Sequence, residues 1–269
     1  MTPAPLRGLR AAFVFMTRVP LGGFPYRDAD WRWASAHFPA VGLVVGAVAA
    51  AVHTLLAPYG FTVAAVAAVA ASIAVTGAFH EDGLADSADA LGGGLEPKER
   101  VLEILKDSRL GTYGSTALIL SILGRVALLT ELGGGGPLEA RLGGDALSLS
   151  CAAWALVCAH AVARVAPVFL MAALPYATHD AHSKSRHLLG TTWLQALCAS
   201  LWGALVLAVA PVPIATAAGL AAALLLVTVW VGRRFVKRVD GITGDFLGAL
   251  EQFGEPIVLL AFLVGVHVA

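Results

Sequence analysis

The chain has 269 residues, 58% of them hydrophobic and only 13% charged, with a mean hydropathy of +0.78. A soluble domain carries about 25% charged residues, so this composition excludes an ordinary soluble fold. The formal net charge is zero and no basic tract is interleaved with aromatics, which argues against a nucleic-acid partner.

In chain order, residues 1–35 are mixed. The stretch LRGLRAAFVFMTRVP has the pattern of a short amphipathic helix at a membrane interface and carries Arg7, Arg10 and Arg18. Its apolar run is too short, and too soon followed by Arg18, to read as a cleavable signal peptide. Trp31 and Trp33 suit the headgroup level. Long apolar blocks then occupy 36–57, 61–79, 115–132, 149–174, 192–210, 213–231 and 256–268. Crossing the hydrocarbon takes roughly 20 apolar residues. The expected class is therefore all-α, a polytopic membrane protein of about seven transmembrane helices. The count falls to six if the short last block does not cross. Cys151, Cys158 and Cys198 lie inside apolar blocks without CxxC spacing and read as small core or lipid-facing residues.

Charge sets the expected orientation. With the N-terminus inside, segments 1–35, 80–114, 175–191 and 232–255 face inward and hold fifteen of the eighteen Lys and Arg. The outer segments hold only Arg141. This asymmetry follows the positive-inside rule. The chain reads as one transmembrane catalytic domain, 1–269, with site segments 80–114 and 232–255 on the cytoplasmic side.

Chemistry concentrates in residues 76–116, which hold eight of the eighteen acidic residues. Asp82, Asp86 and Asp89 are spaced four and three apart, which puts three carboxylates on one helix face. Hard cations prefer oxygen ligands, so the triad reads as a magnesium or manganese site. Acids drawn to a helix N-terminus are the plainer reading. That accounts for Glu81 and Asp82 but not for Asp89, two turns further on. Next, PKERVLEILKDSRLG opens on Pro97, which suits a first helical turn. Lys106, Ser108 and Arg109 are phosphate-binding types, and Gly111 and Gly114 permit close backbone approach. Asp107 either joins the metal cluster or holds Arg109. Cations beside a carboxylate cluster suit a metal–diphosphate.

The third polar stretch is Arg233–Glu255. Asp240, Asp245 and Glu251 are candidates for a second ligand set. Arg233, Arg234, Lys237 and Arg238 form a basic patch suited to anionic lipid. Arg125 and Arg164 fall within apolar blocks, where an isolated charge is costly. Function, snorkelling and pairing with Glu131 are open for either of them. His37 precedes the first span and could touch the site, whereas His53, His160 and His267 read as structural. The histidine-bearing THDAHSKSRH, 178–187, reads as a polar loop whose Lys184 and Arg186 could assist an anionic substrate.

Taken together, FHEDGLADSADALGGG, ERVLEILKDSRLGTYGSTAL, TGDFLGAL, FMTRVP and FPAVGLVVG resemble the cobalamin synthases, the adenosylcobinamide-GDP ribazoletransferases. The resemblance spans nearly the whole chain. It implies a magnesium-dependent enzyme of the bacterial cytoplasmic membrane. Such an enzyme joins adenosylcobinamide-GDP to alpha-ribazole, or to its 5′-phosphate, and releases GMP. The family's aspartates fall on Asp82, Asp86 and Asp89. Its KDSR-G segment falls on Lys106, Asp107, Ser108, Arg109 and Gly111, and its TGD on Thr243, Gly244 and Asp245. The implied ligands are Asp82, Asp86, Asp89 and Asp245, with Lys106, Ser108, Arg109 and Gly111 toward phosphate. Asp107 or Asp89 is the implied base. The chain departs from the pattern at Glu81, where an apolar residue is usual, and at Ala90 and Asp240, where glycine is usual. Gln252 stands where a carboxylate is expected. Glu81, Asp240, Glu251 and His37 are therefore carried as secondary candidates. Membrane lipid is an expected partner and a homo-oligomer is compatible.

A CDP-alcohol phosphotransferase would do analogous chemistry with a looser match in aspartate spacing. A transporter would place its acids at mid-membrane in broken helices rather than at the cytoplasmic edge. A purely structural subunit would have no use for three stacked aspartates.

Overall fold

The computed structural model describes residues 3–22, 26–94, 96–134, 150–177 and 190–268. The loop 178–187 and Arg141 lie outside the described residues. The elements are helices α1 (Ala4–Met16), α2 (Asp28–Ala36), α3 (Phe38–Leu56), α4 (Phe61–Thr76), α5 (Phe79–Gly92) and α6 (Lys98–Ile104). They continue as α7 (Thr112–Gly133), α8 (Cys151–Ala163), α9 (Val165–Ala173), α10 (Trp193–Val209), α11 (Ile214–Val239) and α12 (Gly244–Val268). Strand pairing among the described residues is limited to one bridge, Tyr176 with Ile242.

Every expected apolar block coincides with a helix. Among the described residues five spans are long and apolar enough to cross a bilayer: Phe38–Tyr59, Thr112–Gly133, Cys151–Ala173, Ile214–Val239 and Gly244–Gly265. The bent pair α4–α5 makes a sixth if taken as one span, and α10 is an apolar helix of only 17 residues. The last helix starts twelve residues before the expected block, because Thr243 caps it: its hydroxyl accepts from Phe246 N–H at 3.3 Å. Rows of large apolar side chains stay exposed on the outer helices, such as Ile119, Leu120 and Leu123 on α7 and Leu197, Leu201 and Leu205 on α10. Such faces suit lipid.

Packing is set by small residues, which let helix backbones approach closely. On α3, a Cβ added at Gly46 would lie 2.7 Å from the Val157 Cα of α8. The central core joins Ala49, Ala68, Ala155, Leu129 and Phe262. A second core holds α1 and α2 on α3. There Trp31, expected at the headgroup level, is buried, with Phe15 and Tyr26 edge-on to it at 6.4 and 5.2 Å. Asp30 pairs with Arg7 at 2.8 Å, which draws α2 onto α1. Between α9, α10 and α11 lies an apolar groove of about 490 Å³, with Trp193 at one end and Leu207 and Leu220 at the other.

The turn that positions the site lies between α4 and α5. Gly77 and Ala78 both adopt left-handed backbone, with φ of 68° and 59°, and the two helices meet at 91°. This lays α5 across the bundle instead of continuing α4. The αL conformation costs a non-glycine residue about 1 kcal/mol or more. A side chain at Gly77 would also run into Arg18. Ala78→Gly is therefore expected to raise the thermal midpoint in detergent and Gly77→Ala to lower it. Shifts of equal sign would show that this backbone strain is not what limits the bend.

Candidate active site

Helix α5 carries the triad. Asp82 is exposed, and Asp86 and Asp89 are half-buried. The helix packs mainly on α12, and Gly83 makes the approach possible. A Cβ there would lie 2.8 Å from the Asp245 carbonyl oxygen and 3.2 Å from Gly248 Cα. The first turn of α12, carrying Asp245, is thus brought beside Asp82 and Asp86. The preceding turn is pinned to the end of α9: Ile242 N–H donates to Pro175 at 2.9 Å and Ala177 N–H to Ile242 at 2.8 Å.

Asp86 lies on α5, which turns away from α4 and is not part of the five long apolar spans. Burial raises its carboxyl from 3.8 to about 7, and the charges of Asp82, Asp245 and Asp89 push it the same way. Four carboxylates in mutual repulsion are a donor set for a hard cation. Their oxygens do not form a closed cage, since no three of them lie within 4.8 Å of one another. Mg²⁺ suits such an open arrangement. It keeps several waters and is usually held by one or two carboxylates together with substrate phosphates.

Asp89 does a second job. Its Oδ2 accepts from Gly111 N–H at 2.7 Å and its Oδ1 from Gly114 N–H at 2.8 Å. The carboxylate thereby caps the N-terminus of α7, where unpaired N–H groups and the helix dipole favour an anion. Any side chain at Gly111 or Gly114 would collide with it. The 105–111 segment is so anchored at its far end. Asp107 does not join the aspartates. Both its oxygens take Arg109, at 2.6 to 3.0 Å, and the guanidinium holds its carboxyl down at about 2. Lys106, Ser108 and Arg109 are exposed along this segment.

The secondary candidates fall elsewhere. Asp240 is exposed in αL conformation and pairs with Lys98 at 2.8 Å. His37 Nε2 lies 3.1 Å from the Pro5 carbonyl, and its ring stands edge-on to Trp202, at the α1–α3 junction. Glu81 and Glu251 are buried in an ionic network beneath the aspartates. Arg125 does not pair with Glu131. It donates to Glu81 Oε1 at 3.0 Å and to Glu255 Oε2 at 2.8 Å. Arg164 Nη1 lies 2.6 Å from Glu251 and 3.6 Å from Glu255, and His160 Nδ1 is 2.5 Å from Glu255. His80 Nδ1 is 3.9 Å from Glu251, beside a cavity of about 30 Å³ that Gly244 also lines. All seven side chains are buried.

The oxygens and ring nitrogen of His160, Glu251 and Glu255 converge within 4.8 Å, close enough for a metal. Two guanidinium groups already neutralise that cluster, so it reads as an ion-pair network. Nothing local in the chain signals a pairing for Glu255 or His160. The partners are 130 residues apart for Arg125–Glu255, and only the packing of α7 on α12 brings them together.

Asp86 yields a test. A pKa raised from 3.8 to about 7 means that the folded state keeps a proton the unfolded chain loses. Its contribution to stability is full below pH 4 and is lost as pH rises to 7. In EDTA, Asp86→Asn should melt higher than the parent at pH 8 and lose that advantage near pH 4. Parallel curves for the two proteins would contradict the crowding of the site.

A family model described as cobalamin-5-phosphate synthase matches residues 8–263. A protein of Polaromonas sp. (strain JS666) named adenosylcobinamide-GDP ribazoletransferase is 40% identical over 96% of this chain and 95% of its own length. Relatives of the same name from Leptothrix cholodnii and Vibrio cholerae are 41% and 36% identical, covering 95% and 94% of this chain and 94% and 92% of their own. No solved structure matches the chain. A full-length match of this kind, on a helical membrane bundle that gathers Asp82, Asp86, Asp89 and Asp245 at one end, places the chain in the cobalamin-5-phosphate synthase family.

Proposed function

We propose that this chain is an adenosylcobinamide-GDP ribazoletransferase. It joins adenosylcobinamide-GDP to alpha-ribazole or its 5′-phosphate and releases GMP. The observation that carries the reading is the meeting of Asp82 and Asp86 with Asp245 through the Gly83 contact, beside an anchored segment bearing Lys106 and Arg109. Asp82, Asp86 and Asp245 would hold Mg²⁺, with Asp89 at their margin, and the ion would supply charge neutralisation on the diphosphate.

The chain's own groups do the rest. Lys106 and Arg109 grip non-bridging oxygens, Lys106 as a point charge and Arg109 as a planar fork. Asp107 keeps that fork oriented. A ribose hydroxyl of the acceptor, distinct from the 5′ position that carries the phosphate in the alternative acceptor, attacks the phosphorus next to cobinamide; its proton is released and the P–O bond to GMP breaks. Asp89 is occupied by two backbone N–H groups, and Asp107 is tied to Arg109, which holds its carboxyl down at about 2 and makes it a weak base.

The test is purified protein in detergent with adenosylcobinamide-GDP and alpha-ribazole, with and without Mg²⁺, following GMP and cobalamin. Both products should form only with the metal, and Asp86→Asn should lower turnover by roughly 10³-fold, on the order of removing a key electrostatic group. Turnover with a CDP-alcohol instead would move the chain to that chemistry. The inward bias of Lys and Arg supports a site on the cytoplasmic face of the bacterial inner membrane. Ser108→Cys should accordingly react with a membrane-impermeant maleimide in inverted vesicles and not in intact spheroplasts. The opposite labelling would invert the topology.

A further inference from the structure

Helix α5 shows two charged faces. One carries Asp82, Asp86 and Asp89. The other turns His80 and Glu81 into the bundle, where both are buried. Glu81 immediately precedes Asp82, so whatever fixes Glu81 fixes the start of the triad. What fixes it is Arg125, whose two terminal nitrogens are divided between Glu81 on α5 and Glu255 on α12. One guanidinium on α7 therefore ties together the two helices that supply the aspartates. The close backbone contact at Gly83 brings the same helices together but has no side chain to stop them sliding or rotating.

We infer that Arg125 is a positioning residue for the metal site: through Glu81 and Glu255 it sets the rotation and height of α5 against α12, and so the distance from Asp82 and Asp86 to Asp245. The inference rests on the aspartates binding a divalent cation, as proposed above. Chemistry favours arginine here. A planar fork reaches two carboxylates on different helices at once, whereas an ammonium is a single point. Glu251 and Glu255 are held on their other side by Arg164 and His160, and α5 meets the same network again through His80, 3.4 Å from Arg164; Arg125 is the tie that reaches the residue next to Asp82.

A displacement of about 1 Å at a reacting centre costs on the order of 10²-fold. The change is expected first in metal affinity, since the ligands come from both tied helices.

The experiment uses full-length protein and Mn²⁺ as the probe, read by the electron paramagnetic resonance signal of the free ion. Arg125→Lys keeps the charge and loses the fork. It should weaken Mn²⁺ binding by about 10-fold or more and raise the metal concentration for half-maximal turnover by a similar factor. Its kcat should be recovered at saturating metal. Glu81→Gln keeps the side chain's shape and one acceptor, so its loss should be smaller, about 3-fold. It is read in the same way if Arg125→Lys does not fold.

Folded Arg125→Lys with parental Mn²⁺ affinity overturns the positioning role and leaves Arg125 as a support of the fold alone. Folded Glu81→Gln with unchanged affinity does the same when it is the variant read. Parental Mn²⁺ binding that survives Asp86→Asn unweakened overturns the metal site itself, a distinct result.

Discussion

The architecture depends on how closely α5 is allowed to lie on α12. Two helices whose facing residues carried side chains would sit about 8–10 Å apart. Here Gly83 and Gly248 face each other, with a Cβ at Gly248 only 3.4 Å from Gly83 Cα. That approach puts carboxylates from two distant segments into one field. It is available only because α4 stops at Thr76 and two left-handed residues turn the chain through 91°. Had α5 continued α4, its aspartates would have been buried along a span, with nothing to offset their desolvation.

The same helix is held from below by charge. Buried ion pairs are expensive, and a well-packed apolar cluster is often as stable. Glu81, Glu251 and Glu255 against Arg125 and Arg164 therefore make little sense as a device for stability alone. They make sense as a device for register, because hydrogen-bonded charges tolerate far less sliding than alanine on alanine. The surrounding core is built largely of alanine.

Much of this is legible in the sequence. Each of the seven apolar blocks falls on helix, though only five make spans long enough to cross, and the four–three spacing places Asp82, Asp86 and Asp89 on one helix. TGD locates Asp245. Where the fold departs from the sequence pattern, the reason is physical. Trp31 is interfacial by composition, but α1 and α2 enclose it. Glu131 is the carboxylate nearest to Arg125 along α7, while the true partners depend on contacts between helices far apart in the chain. Asp107 and Asp89 each allow two roles by spacing, and hydrogen bonds that no spacing encodes decide between them. Glu255 carries no local signal at all: a carboxylate in an apolar run declares itself only when its cations are in view.

The segment between α5 and α7 is fastened unequally. On the α7 side a half-buried carboxylate takes two backbone N–H groups. On the α11 side the polar ties are Lys98 with Asp240, an exposed pair, and Arg238 with the Gly94 carbonyl, and Val101 of α6 is buried in one core with Phe235 and Val239. An exposed ion pair contributes under about 1 kcal/mol and is screened by salt. The segment is thus held by a part-buried carboxylate on one side and by apolar packing with a salt-sensitive rim on the other. Lys106 and Arg109 lie near the carboxylate anchor. Ionic strength therefore acts on that exposed rim, while the buried packing and the Asp89 anchor are out of its reach.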